Sequence, residues 1–336
     1  MGIKLGIVSN WGLDLEAYRA ELRTAKECDY SVIGVGDTPA GWHEMLVSMT
    51  VAAYEAPGLT LTPMVTAPFM RHPLTSASAM SSLWDLTGGK VAYGLATGGS
   101  NVVAIGRGRA KQKEIRAEFA ALRGLFSGKS IEWEGSHVSC LRFARPVPIY
   151  YSAFGPKAMA LAGEMADGVI LFTGDQQLDN LRKRIATVHA AAKAAGRDPA
   201  SVDIWAVSFC SVRDSREQAI NDLKAFISVN ALTIAMAPEL LAATPEHLQG
   251  PILEYKKRYD VSEHVVPNGG NVRLMDELGL CDYLSQFDTT KLDAPGTTGF
   301  LKELEAMGVS TFFAALPGHA DPLPTIRGLA AARDAM

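Results

Sequence analysis

The chain has 336 residues, is 48% hydrophobic and 20% charged, and carries a formal net charge of −4. That balance excludes wholesale disorder and offers no basic face of the kind nucleic acid requires. Its length lies within the range of one α/β barrel. Cys28, Cys140, Cys210 and Cys281 are scattered without a CxxC pair. Reduced thiols in a cytoplasmic protein are expected, not a disulfide frame or a zinc site. The first ten residues hold too few apolar side chains for a signal peptide, and no apolar run approaches a membrane span.

Short β-rich runs alternate with longer helical patterns along the chain. "IKLGIV" (3–8) predicts a strand, and Asp14 then caps a helix. "SVIGVG" (31–36) precedes a helix at 42–55, and "LTLTPMV" (59–65) precedes one at 73–87. "KVAYGLA" (90–96) leads to a charged helix at 111–127. "PVPIYYSA" (146–153) and "DGVILF" (167–172) lead to helices at 156–166 and 176–195. "VDIWAVSFCSV" (202–212) leads to a helix from about Ser215, and "VSTFFAAL" (309–316) to one at 321–334. Eight strand-plus-helix units with little alternation inside the strands predict a parallel (β/α)8 barrel, with a doubly wound open sheet as the alternative. The whole chain, 1–336, reads as one domain. An excursion at 127–146 and a turn-rich insertion at about 229–296, before the last unit, break the rhythm.

In a barrel of this type the active site is built from loops at the C-terminal strand ends. "MVTAPFMRHP" and "LATGGSN" are two such loops, and their small residues let backbone approach a ligand. The second lacks the GK[ST] ending of a Walker loop. "SAFGPKAMALAG" (152–163) reads as strand, Gly turn and a helix opening with Pro156, which suits either a phosphate or a plain βα turn. Asp37 fits a carboxylate at the mouth and equally a cap or turn former. Trp42 fits a stacking surface and equally a half-buried core residue. "GRGRAKQKEIR" (106–116) fits a solvated basic loop or an anionic ligand. No metal-ligand constellation, GxSxG elbow or Cys–His pairing stands out.

"RHP…LWDLTGGKVAYGLATGG" (71–99) and "PVPIYYSAFGPKAMALAGEMADGVILFTG" (146–174) resemble the luciferase-like oxidoreductases. That group includes flavin-dependent monooxygenases and enzymes of the deazaflavin coenzyme F420. The resemblance is strongest to the branch with methylenetetrahydromethanopterin reductase and the deazaflavin-dependent dehydrogenases. It covers 3 to about 225 well, 297–334 loosely, and says little about 229–296.

The resemblance implies a cofactor phosphate at Ala153, Phe154, Gly155 and Pro156, with Thr97, Gly98 and Gly99 alongside the cofactor. It implies a bulge at the end of strand three with a cis Met64–Val65 peptide, and Thr66 offering a hydroxyl to the ring edge. Asp37 and Trp42 keep the dehydrogenase spacing, but Thr38 stands where those enzymes carry His. Gly99 and Val8 stand where relatives carry acids, so neither glucose 6-phosphate nor methylenetetrahydromethanopterin is an expected substrate. Asp37, His43, His72 or water then supplies the proton, with helix capping the preferred role of His72. Asp37, at an open mouth, is expected to matter more for turnover than for stability.

The implied function is an F420-dependent oxidoreductase passing a hydride between the deazaflavin and a small organic substrate. An FMN-dependent monooxygenase is the alternative, and a nonenzymatic flavin-binding accessory protein a third. A homodimer is expected from the same resemblance, and charge and apolar patterning give no expectation of nucleic-acid or membrane partners.

Overall fold

All eight expected strands form, each followed by helix. The computed structural model describes residues 2–336 apart from 237, 261, 262, 264, 288, 318 and 319. The chain begins β1 (Lys4–Val8), α1 (Leu15–Glu27), β2 (Val32–Val35), α2 (Met45–Glu55), β3 (Thr60–Pro63) and α3 (Pro73–Thr87). Next come β4 (Tyr93–Leu95), α4 (Ser100–Ala104), α5 (Gln112–Phe126), β5 (Ile131–Trp133) and β6 (Ser136–Val138). The middle of the chain supplies β7 (Ile149–Ser152), α6 (Pro156–Met165), β8 (Gly168–Phe172), α7 (Leu178–Ala194), β9 (Asp203–Val212) and α8 (Arg216–Ala235). The remainder is α9 (Pro238–Ala242), α10 (Glu246–Arg258), α11 (Gly270–Glu277), α12 (Cys281–Leu284), β10 (Thr289–Leu292), α13 (Ala294–Ala306), β11 (Thr311–Ala315) and α14 (Leu323–Asp334).

Local chemistry sets several boundaries. The Asp14 carboxylate accepts from the amides of Glu16 and Ala17 and starts α1. His72 caps α3 with Pro73 behind it, and Gly88 ends that helix in the left-handed region at φ 66°. The 127–146 excursion is the β5–β6 hairpin, turned by Glu134 and Gly135, both with positive φ.

The chain forms two compact units, the first comprising residues 1–172, 181–207 and 304–314. It holds the barrel. The strand order is β3-β2-β1-β11-β9-β8-β7-β4, and bridges Leu61–Val91 and Thr66–Leu95 bring β4 back to β3. From Leu61 to Thr66 is five steps, against four from Val91 to Leu95, so β3 carries one extra residue. This is the expected bulge, and the Met64–Val65 peptide within it is cis. Two neighbouring glycines make room for it. A Cβ on Gly34 would lie 2.7 Å from Met64 Cβ, and one on Gly94 would lie 2.1 Å from the Pro63 carbonyl oxygen.

Further glycines admit large rings into the barrel core. A Cβ on Gly6 would meet Phe313, and one on Gly168 would meet Tyr150. Tyr150 stacks on Trp205 at 3.7 Å, and both donate to Asp203 Oδ2, so the buried polar tips are satisfied.

The second unit comprises residues 173–180, 208–303 and 315–336. The insertion expected from about 229 begins inside α8, and the chain from there to β10 is largely helical despite its Pro, Gly and turn residues. Residues 237, 261, 262, 264 and 288 of this segment lie outside the described residues. Apolar positions spaced along polar-looking stretches explain the difference: Ile227, Ala231, Ile252, Tyr255, Met275 and Leu284 pack into one core. β10 adds to the second half of β9, and its Lys291, fully buried, is paired with Asp175 at 2.8 Å. Burial pulls the Lys291 ammonium down, and Asp175 opposes that shift. No helix among the described residues is long and apolar enough to cross a membrane.

Candidate active site

The candidate residues sit on the C-terminal ends of β2, β3, β4 and β7. Of these strands β2 pairs with β3 and β4 with β7, while the bulge and its bridge join β3 to β4. The barrel therefore gathers segments that lie more than a hundred residues apart in sequence.

After β2, Asp37 is not at an open mouth. It is 2% exposed, accepts from the Thr66 hydroxyl at 2.5 Å, and forms a bidentate pair with Arg71 at 2.6 and 3.1 Å. This corrects the open-mouth expectation: removing the carboxylate leaves a shielded guanidinium with Glu44 as its remaining acidic partner among the described residues. The Thr66 hydroxyl is buried and donates its proton to Asp37.

The loop beyond Asp37 leans on the end of β1. Asn10 Oδ1 accepts from the Gly36 amide at 2.7 Å, and the Thr38 carbonyl accepts from Gly41 and Trp42. Trp42 is 36% exposed and lies over Gly12. The His43 ring stacks on Trp11 with centroids 4.1 Å apart, and its Nδ1 is 3.2 Å from the Trp11 carbonyl oxygen. A carbonyl only accepts, so Nδ1 is the donor in this contact. His72 takes the capping role, since its Nδ1 accepts from the Leu74 amide at 3.1 Å.

After β4, Gly98 has φ +94°, and a Cβ there would lie 2.5 Å from Val102 Cγ1. Asn101 is buried and its Oδ1 accepts from the amides of Gly99 and Val102, which holds Thr97–Gly99 in place. Gly99 differs: nothing lies within 4 Å of its Cβ position.

After β7, Ala153 is buried, and Phe154 is largely exposed although it stacks on Phe172 at 4.9 Å. Gly155 precedes Pro156, the first residue of α6, with an ordinary negative φ of −103° and open space where a side chain would stand. The amides of Gly155 and Lys157 have no acceptor among the described residues. Neither backbone strain nor packing requires glycine here, and the space beside it is open. The Lys157 carbonyl accepts from Gln112, which ties this helix start to the basic loop. Within that loop Arg107 lies over the Phe69 ring at 4.8 Å. No acidic partner for Arg107, Arg109, Lys111 or Lys113 is present among the described residues, whereas Arg116 pairs with Glu164.

Sequence reading missed Arg71, Glu44 and Trp11. Arg71 opens the "RHP" stretch, but its partners are 27 and 34 positions away. Residues 10–268 match the luciferase-like monooxygenase family, and the chain belongs to it.

Among curated relatives, 5,10-methylenetetrahydromethanopterin reductase of Methanolobus tindarius is 29% identical over 58% of this chain and 60% of its own. F420-dependent hydroxymycolic acid dehydrogenase of Mycobacterium tuberculosis is 34% identical over 46% of each chain. This chain thus spans about half to three fifths of these relatives. The solved F420-dependent tetrahydromethanopterin reductase of Methanopyrus kandleri superposes with a TM-score of 0.76 at 19% identity, over 98% of both chains. EDTA monooxygenase of Chelativorans gives 0.72 at 13% identity, over 100% of this chain and 94% of that one. At those identities the likeness establishes the fold.

Proposed function

We propose that this protein is an F420-dependent oxidoreductase acting on a small organic substrate. The Gly155-Pro156 helix start carries the reading: space is open beside the glycine and the amides of Gly155 and Lys157 have no acceptor among the described residues, so an anion fits there. The dehydrogenase and reductase relatives support the choice of coenzyme. When bound, a deazaflavin supplies two-electron hydride chemistry at a ring carbon. The chain's own residues do the rest. The amides of Gly155 and Lys157 and the start of α6 hold the phosphate, with Ala153, Phe154 and Pro156 beside it. Met64, Val65 and Thr66 form the wall on which the ring lies, and Thr97–Gly99 flank it. Trp42 offers a face to the substrate. His43 is the residue assigned to hold the proton, at Nε2, because Asp37 is committed to Arg71 and Thr66.

The family's monooxygenase members support a second reading, in which the cofactor is FMN. The basic loop favours F420, whose polyglutamyl tail continues past the phosphate where FMN stops. The deciding experiment is equilibrium binding of F420 and of FMN to the protein, followed by fluorescence. Tight FMN binding without deazaflavin binding would overturn the first reading.

Two outcomes are expected from the geometry. Gly155→Val should fold normally, since its side chain meets open space, and should weaken coenzyme binding at least tenfold, or about 1.4 kcal/mol. Equal affinity in the folded variant would remove the phosphate from this helix start. Exchanging Arg107, Arg109, Lys111 and Lys113 for Gln is expected to weaken F420 binding and flatten its salt dependence while sparing FMN. Parallel salt titrations of the two proteins check this, and an unchanged F420 slope would leave the loop merely solvated.

A further inference from the structure

Arg71 stands where two segments of the site meet. Its Nη1 and Nη2 donate to Asp37 Oδ2 and Oδ1, and Nη2 donates also to Glu44. Asp37 follows β2, and Glu44 caps α2 by accepting from the Val47 amide at 3.0 Å. Between them lie Trp42 and His43. Asp37 in turn receives the hydroxyl of Thr66, which directly follows the bulge residues Met64 and Val65. The Arg71 side chain is 16% exposed and that of Asp37 1%, so this pair is shielded from water. Burial alone pulls the guanidinium pKa down, but hydrogen bonds and charge contacts with Asp37 and then Glu44 outweigh it. A planar fork matches both carboxylate oxygens at once and prevents the carboxylate from turning.

We propose that Arg71 is the positioning residue of this site. It fixes Asp37, through Asp37 the Thr66 hydroxyl and the bulge before it, and through Glu44 the loop bearing Trp42 and His43. The inference rests on the coenzyme reading and adds a residue that acts through others. With the Thr66 proton directed to Asp37, the Thr66 oxygen has only acceptor capacity left. Lysine at 71 would keep the charge but lose the second parallel donor, so the carboxylate would be free to rotate and Thr66 with it.

The test compares wild type, Arg71→Lys and Thr66→Val by thermal unfolding and by titration with F420 and FMN, following fluorescence and the visible absorption of the bound coenzyme. Arg71→Lys is expected to unfold close to wild type, to bind the coenzyme at least tenfold more weakly, and to move the bound absorption maximum toward that of free coenzyme. Thr66→Val is expected to show the same spectral displacement with the ion pair intact. The double variant is expected to be no worse than Arg71→Lys, because both changes break one chain of contacts. An unchanged affinity and spectrum in folded Arg71→Lys overturns the inference and leaves the coenzyme reading standing. If Arg71→Lys does not fold, Thr66→Val decides: a wild-type spectrum there overturns the inference as well. A wild-type protein that binds neither coenzyme takes down both.

Discussion

Glu118→Gln is expected to gain stability over the wild type as pH rises from 5 to 9. Glu118 lies on α5 with 1% exposure, and neither carboxyl oxygen has a hydrogen-bond partner among the described residues. Burial pushes its pKa up from 4.5 to about 8. Proton counting gives the sign. Between about 4.5 and 8 the folded chain keeps a proton that the unfolded chain has released, so stability falls as pH rises through that window. Below it both states are protonated, and glutamine and neutral glutamic acid are close to equivalent. Above it the wild type carries a buried, unpaired carboxylate, a cost on the order of a few kcal/mol. Denaturant unfolding at pH 5 and pH 9 reads the difference directly. Parallel pH curves for the two proteins would place the Glu118 carboxyl in contact with water or a partner.

Gly94→Ala is expected to lose about 3 kcal/mol, the upper end of the range for overpacking. Its new methyl group would sit 2.1 Å from the Pro63 carbonyl oxygen and 3.3 Å from Thr62 Oγ1. The nearest obstacle is backbone, so no rotamer change relieves it. Either β4 withdraws from β3, breaking the Thr66–Leu95 bridge, or the bulge is pushed aside. Coenzyme binding should fall with stability, since the same displacement moves Met64 to Thr66. Gly108→Ala is the control, with nothing within 4 Å of its Cβ position. Equal unfolding free energies for the two variants would show that the bulge tolerates a broader neighbour.

Much of this was legible locally. Strand and helix positions along the barrel depend on runs of apolar residues, caps and turn formers, all of which act within a few residues. The α3 boundaries, from Pro73 to Thr87, are set by His72-Pro73 at one end and Gly88 at the other. The Gly155-Pro156 helix start was visible for the same reason. The bulge was not visible in local propensity. It was expected through the family resemblance, and its physical basis, Gly34 and Gly94 on the two flanking strands, appears only when β2, β3 and β4 lie side by side.

By itself, then, the sequence determined the alternation of strand and helix, the parallel barrel and the loops that face its C-terminal end. Those features depend on periodicity and on contacts a few residues long. The tertiary structure alone decided the state of the side chains. It buried Asp37 against Arg71 and Thr66, stacked His43 on Trp11 and enclosed Glu118 without a partner among the described residues. It also folded the polar-looking stretch after 229 into helices around a shared core. In each case the deciding contact joins residues distant in the chain, and burial and charge pairing exist only once those residues are brought together.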